Sequence, residues 1–218
     1  MTVAYHSVEE QASGIKMFMS KYWKIALVIF IIALFAAGGA RYWKTDSQSQ
    51  VDKSSVVFED LVTSIDKEGQ NTIQKLVRFA YTEKNIYGVL AALKAAQFYV
   101  MELKDYKGAT ALLGNALLKT KDENLQSIIL VRIARLQQQQ NLHVQSLQTL
   151  DKIKDDSWSA MINSIRGDVL LKQHRYAESI LAYKTALSSA QAPELKENIQ
   201  IKLNHALYLM EKIKVKNG

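Results

Sequence analysis

Residues 175–187 read "RYAESILAYKTAL", and their spacing fixes the fold class: Tyr176, Ser179, Tyr183 and Ala186 form an aromatic, a small, a large and a small position. The same order recurs twice upstream. "DYKGATALLGNAL" (105–117) gives Tyr106, Ala109, Leu113 and Ala116, and "LHVQSLQTLDKI" (142–153) gives His143 in place of the aromatic, Ser146, Leu150 and an apolar Ile153 at the last position. The registers begin 37 and 33 residues apart. A period of about 34 residues is that of helix–turn–helix solenoids of the tetratricopeptide type. Small residues let the two helices of a pair approach closely, and large ones fill the groove between pairs. Each preceding helix supplies its own small residue: Ala134 and Gly167 stand nine positions before His143 and Tyr176, while Ala96 stands ten before Tyr106. The first turn is therefore expected to be one residue longer.

The flanking sequence is helical too. Val57, Leu61 and Ile65 make one stripe at helical spacing, and Ile73, Leu76, Val77 and Ala80 make the next. Gly69 reads as the stop between them, with Asn71 or Thr72 as the cap. After Pro193, the residues Leu195, Ile199, Leu203, Ala206, Leu207 and Met210 share one face, as expected of a helix that closes a stack. One proline and nine glycines in 218 residues favour long helices over a many-turned β fold. The expected fold class is all-α.

Residues 21–44, "KYWKIALVIFIIALFAAGGARYWK", stand apart. Sixteen uncharged residues, Ile25 to Ala40, lie between aromatic pairs and basic residues. Sixteen helical residues cover roughly 24 Å, and the span Tyr22 to Trp43 matches a hydrocarbon core of about 30 Å. Tyr22, Trp23, Tyr42 and Trp43 read as two interfacial belts. A core helix has no need of matched belts. A cleaved signal is disfavoured because the 24 residues before the apolar run contain Glu9 and Glu10. Ala33/Ala37 and Ala36/Ala40 have the spacing that permits close helix contact in lipid. The expected organisation is a short N-terminus (1–21), a transmembrane anchor (22–43), a polar linker (44–55) and a helical-repeat domain (56–218). Flanking charges are nearly tied, with Lys16, Lys21 and Lys24 before the span and Arg41, Lys44 and Lys53 after it. They leave both orientations open.

The net charge is +7, and the chain beyond residue 44 carries 23 basic against 19 acidic residues, interspersed rather than clustered. That pattern argues against nucleic-acid binding. There is no cysteine, hence no disulfide and no thiolate site. His6, His143, His174 and His205 show no metal-binding spacing, and there is no phosphate-binding loop or nucleophile elbow. Asp122-Glu123 and Asp155-Asp156 point apart if helical, and are expected at helix N-termini. "QQQQ" (137–140) reads as the solvent face of a helix end. No enzyme, cofactor or metal is expected.

A stack of helix pairs creates a concave surface lined by the first helix of each pair. In the second unit the repeat register places Ile128, Val131, Arg135 and Gln138 on that face, and in the third Met161, Asp168, Leu171 and Lys172. Apolar anchors mixed with polar groups suit a peptide or partner helix. Three function classes follow from the residues: an interaction subunit, a chaperone holding unfolded chains itself, or a cytoplasm-facing scaffold.

"ARYWK" (40–44), "KNIYGVLAALKAAQFYV" (84–100), "KDENLQSIILVRIARLQ" (121–137), "LQTLDKIKDDSW" (147–158) and "IRGDVLL" (165–171) resemble the YfgM family, ancillary subunits of the SecYEG translocon of Gram-negative inner membranes. The similarity runs from about Met17 to Leu209. It implies a cytoplasmic N-terminus, a single span and a periplasmic tetratricopeptide-like domain. It also implies association with SecYEG and with the membrane-anchored periplasmic foldase PpiD, near exported client proteins leaving the translocon. No contact residue is implied one by one.

Overall fold

Side chains at helix starts decide where each element begins. Asn85, Asp105, Asp122 and Asp155 each accept a hydrogen bond from a backbone N–H two or three residues on, at Tyr87 (2.9 Å), Gly108 (2.8 Å), Leu125 (2.8 Å) and Ser157 (2.9 Å). Such caps satisfy donors that the helix itself leaves open. A computed structural model describes residues 51–65 and 70–217. Its helices are α1 (51–65), α2 (Gln70–Thr82), α3 (Ile86–Met101), α4 (Tyr106–Lys119), α5 (Glu123–Gln139), α6 (His143–Leu150), a 3-10 turn (Asp156–Trp158), α7 (Ser159–Lys172), α8 (Tyr176–Ser189) and α9 (Pro193–Asn217). Among the described residues every regular element is helical. Pro193 opens α9, where its missing N–H costs no hydrogen bond.

The aromatic positions read from the sequence are the first residues of α4, α6 and α8. Two residues before each stands one with left-handed backbone: Lys104 (φ 55°), Asn141 (φ 58°) and His174 (φ 60°). A left-handed residue breaks the helical hydrogen-bond run and reverses the chain, so each pair closes as a hairpin. The first hairpin turn spans 102–105 and the other two span 140–142 and 173–175, so the first is longer by one residue, as expected.

The small positions meet where the hairpin helices cross. Ala96 and Ala109 are buried in the first pair. In the next two pairs serine replaces alanine and gains a bond. Ser146 Oγ donates to the Ala134 carbonyl (2.8 Å), and Ser179 Oγ donates to the Gly167 carbonyl (2.9 Å). A buried hydroxyl is tolerated only when so paired. Leu113, Leu150 and Tyr183 fill the space beyond. Burying each of these side chains stabilises the stack by about 2 kcal/mol.

The core is a chain of apolar clusters rather than one ball. One cluster runs from α2 to α5, a second joins α5, α6 and α7, and a third joins α7, α8 and α9. Lys119 of α4 ties the first cluster to the end of α2. Its ammonium donates to the carbonyls of Ala80, Tyr81 and Glu83, groups with partial negative charge at a helix C-terminus. Desolvation pulls the Lys119 pKa down, opposed by the Glu83 carboxylate.

Three local expectations change. Residues 51–55, read as the end of a linker, are helical, and Ser54 Oγ donates to Glu83 (2.9 Å) and accepts from Asn85 (2.8 Å). Asn71 and Thr72 lie in the first turn of α2, which begins at Gln70. The glutamines at 137–140 are joints rather than a solvent face: Gln137 accepts from Thr149 (2.8 Å), and Gln140 donates to Thr110 of the preceding pair (3.1 Å). On α9 the expected face is buried at Ile199, Leu203 and Ala206, and Leu207 lies at its exposed edge. Among the described residues no helix is long and apolar enough to cross a membrane. The anchor expected over 22–43, with Tyr22, Trp23, Tyr42 and Trp43, lies outside the described residues, as do Gly69 and segment 1–21.

Candidate functional site

Helix α4 packs on both α3 and α5. The gap this leaves between α3 and α5 is a cavity of about 320 Å³, within the range of about 300–1,000 Å³ usual for ligand pockets. Helix α3 contributes Ala96, Gln97, Val100 and Met101, spaced so that one face of the helix looks into the gap. Leu113 of α4 lies at the base, and Arg132, Arg135 and Leu136 of α5 form the far wall. A smaller gap of about 140 Å³ lies between α1 and α3, lined by Ile65, Lys94, Phe98 and Glu102. It shares Gln97 and Met101 with the first, and these two exposed residues form the crest of α3 between the two grooves.

Apolar walls coexist with charge in the trough between α3 and α5. Met101 is 56 % exposed despite its thioether chain. Arg132 and Arg135, three residues apart, lie on the same side of α5 and are exposed. Among the described residues neither guanidinium has an ion-pair partner. Arg135 donates to the Met161 sulfur (3.2 Å) and so reaches toward α7.

The positions taken from the repeat register divide. Arg135 and Met161 meet directly, and Ile128 is half-buried. Val131 and Gln138 are buried, each 7 % exposed, with Val131 in the α5–α7 cluster. The open stripe of α5 therefore runs Ile128, Arg132, Arg135 and Gln139. Leu171 packs against the α8–α9 cluster, and Lys172 is exposed at the last residue of α7.

Asp168 sits in a joint. One carboxylate oxygen accepts from the Tyr183 hydroxyl (2.7 Å), and the other pairs with Lys202 Nζ (2.7 Å), which also reaches Ser164 (3.3 Å). The group thus links α7, α8 and α9. Burial first, and the Asp168 carboxylate second, push the Tyr183 phenol well above its ordinary pKa. This is a neutralised, half-buried network that holds the last pair to the closing helix.

His174 lies in the turn before α8, and His143 opens α6. His174 Nδ1 is 2.8 Å from the Tyr176 hydroxyl. His143 Nδ1 is buried without a hydrogen-bond partner among the described residues. Asp122 and Asp155 act as helix caps, in keeping with the sequence reading. The repeat register marks α5 and α7 alone and so omits Gln97, Val100, Met101 and Arg132. The i, i+3 spacing of Arg132 and Arg135 is the sequence signal that points to this wall.

Helical hairpins closed by a left-handed residue, crossed at small side chains and stacked along a segmented core, define a tetratricopeptide-like repeat protein with an open trough. The tetratricopeptide repeat-like domain family matches residues 16–207. A protein of Escherichia coli (strain K12) named ancillary SecYEG translocon subunit is 31% identical over 201 residues, covering 92% of this chain and 97% of that protein. A namesake from Buchnera aphidicola subsp. Schizaphis graminum is 30% identical over 181 residues, covering 83% and 92%. One from Haemophilus influenzae is 27% identical over 205 residues, covering 93% and 100%. The chain belongs to this tetratricopeptide-like family of ancillary SecYEG translocon subunits, the YfgM family. No solved structure matches it.

Proposed function

We propose that the chain is a non-catalytic interaction subunit that associates with the SecYEG translocon and presents its helical stack to other proteins there. Similarity over nearly the full length of relatives bearing that name carries the reading. The trough between α3 and α5 supplies a surface suited to it. In the finer picture the span rests on the apolar run at 25–40, and the orientation and the foldase rest on the family resemblance. Residues 22–43 anchor the chain in the bacterial inner membrane by a single span, with segment 1–21 in the cytoplasm and the helical domain in the periplasm. There the domain docks a PpiD-like foldase close to emerging exported clients.

The test is affinity purification of the full-length chain from membranes solubilised in mild detergent, followed by mass spectrometry. Translocon subunits and a membrane-tethered foldase in near-stoichiometric amounts support the reading. The chain alone, or with cytoplasmic proteins only, overturns it. A periplasmic reporter fused after Gly218 checks the orientation: activity supports a periplasmic domain, and silence reverses it.

A further inference from the structure

We infer that the cavity between α3 and α5 takes an apolar segment bearing carboxylates, with Arg132 and Arg135 as its acidic-side contacts. The inference rests on the interaction-subunit reading and names the chemistry of the partner. Two guanidiniums three residues apart on one helix face are exposed beside a wall formed by Ala96, Val100, Met101 and Leu136. Among the described residues no carboxylate pairs with either. A guanidinium presents a planar fork that binds a carboxylate by two parallel hydrogen bonds, and it does so best where apolar surface excludes water.

The walls fix the rest of the ligand. An inorganic anion would satisfy the arginines and leave the apolar floor wet. A purely apolar segment would fill the floor and bury two unpaired charges, which is costly. A segment with both kinds of side chain satisfies both. Glu102 lies across the crest of α3, on its α1 side, and disfavours carboxylates there, so the acidic groups belong on the α5 side. A second copy of this chain is the wrong sign overall, at +7.

The test is a selection of random dodecapeptides on the immobilised full-length chain in detergent micelles. Fluorescence anisotropy then follows a labelled enriched peptide. Enriched sequences should interleave Asp or Glu with Leu, Met or Phe. Affinity should fall roughly tenfold for the Asn/Gln form of the peptide and by a similar factor for Arg132→Gln or Arg135→Gln. Arg→Lys should retain part of it, because the charge remains and the fork is lost. Circular dichroism confirms that these exposed substitutions leave the fold intact. Enrichment of neutral or basic peptides, no enrichment, or unchanged affinity in the double Arg→Gln variant overturns the inference. If those outcomes accompany intact copurification of translocon subunits, only the partner chemistry fails. Loss of copurification in the unaltered chain removes the interaction-subunit reading itself.

Discussion

Adding one methyl group at Gly167 should destabilise the stack, although alanine favours helix. The glycine lies inside α7, against the ring of Tyr183. A Cβ built there would lie 2.5 Å from Cε1, 2.6 Å from Cδ1 and 2.8 Å from Cζ of that ring. Carbon atoms in contact sit about 3.5–4.0 Å apart, so α7 and α8 must separate by about 1 Å locally. The ring cannot swing aside. It is fully buried, and its hydroxyl is bound to Asp168, which is bound to Lys202. Overpacking of this kind costs about 1–3 kcal/mol, while Gly→Ala in a helix interior returns about 1 kcal/mol. Gly167→Ala should therefore lose up to about 2 kcal/mol net. Gly114, inside α4, has nothing within 4 Å of its Cβ position, so Gly114→Ala should gain up to about 1 kcal/mol. Urea unfolding of the full-length chain in mild detergent, followed by far-ultraviolet circular dichroism, reads both. In a Tyr183→Leu background the Gly167→Ala penalty should largely vanish. A Gly167→Ala gain equal to that of Gly114→Ala, or an effect unchanged by the Tyr183→Leu background, would refute the close-approach argument.

Three further outcomes follow from the same coordinates. The folded state holds the Tyr183 phenol proton above its ordinary pKa, so stability from this site is present at neutral pH and is lost as pH rises past about 10, where the unfolded chain ionises. The stability gap between the parent and Tyr183→Phe, measured by urea unfolding, should accordingly be full at pH 8 and narrow above about pH 10. His143→Phe removes a buried nitrogen that has no partner among the described residues and should raise the unfolding free energy by about 1 kcal/mol. Lys119→Met strips three carbonyls at the end of α2 of their donor. It should cost about 1–2 kcal/mol and raise hydrogen exchange near residues 80–84.

The repeat register was legible because it rests on packing rules that act within a hairpin. Tyr106, His143 and Tyr176 each open a helix, and Ala134/Ser146 and Gly167/Ser179 meet as their spacing requires. The open face of α5 was less legible. That helix packs against α4, α6 and α7, so its solvent stripe is narrower than the register alone allows. Val131 and Gln138 turn inward, and Arg132 takes the outer place. The role of Asp168 depends on Tyr183 and Lys202, 15 and 34 residues along the chain. No local spacing joins those three. The left-handed turns were also hidden, because lysine and histidine occupy two positions where glycine would have announced them.

The most direct test of the account places a photo-crosslinking p-benzoylphenylalanine at Gln97, in the trough, and separately at Leu118, which is 86 % exposed on α4 and does not line the trough. Irradiation in living cells should join the Gln97 variant to SecYEG subunits or to proteins that copurify with them, and leave the Leu118 variant unjoined. Equal crosslinking from both positions, or none from Gln97, would contradict the trough as the surface by which this subunit meets its partners.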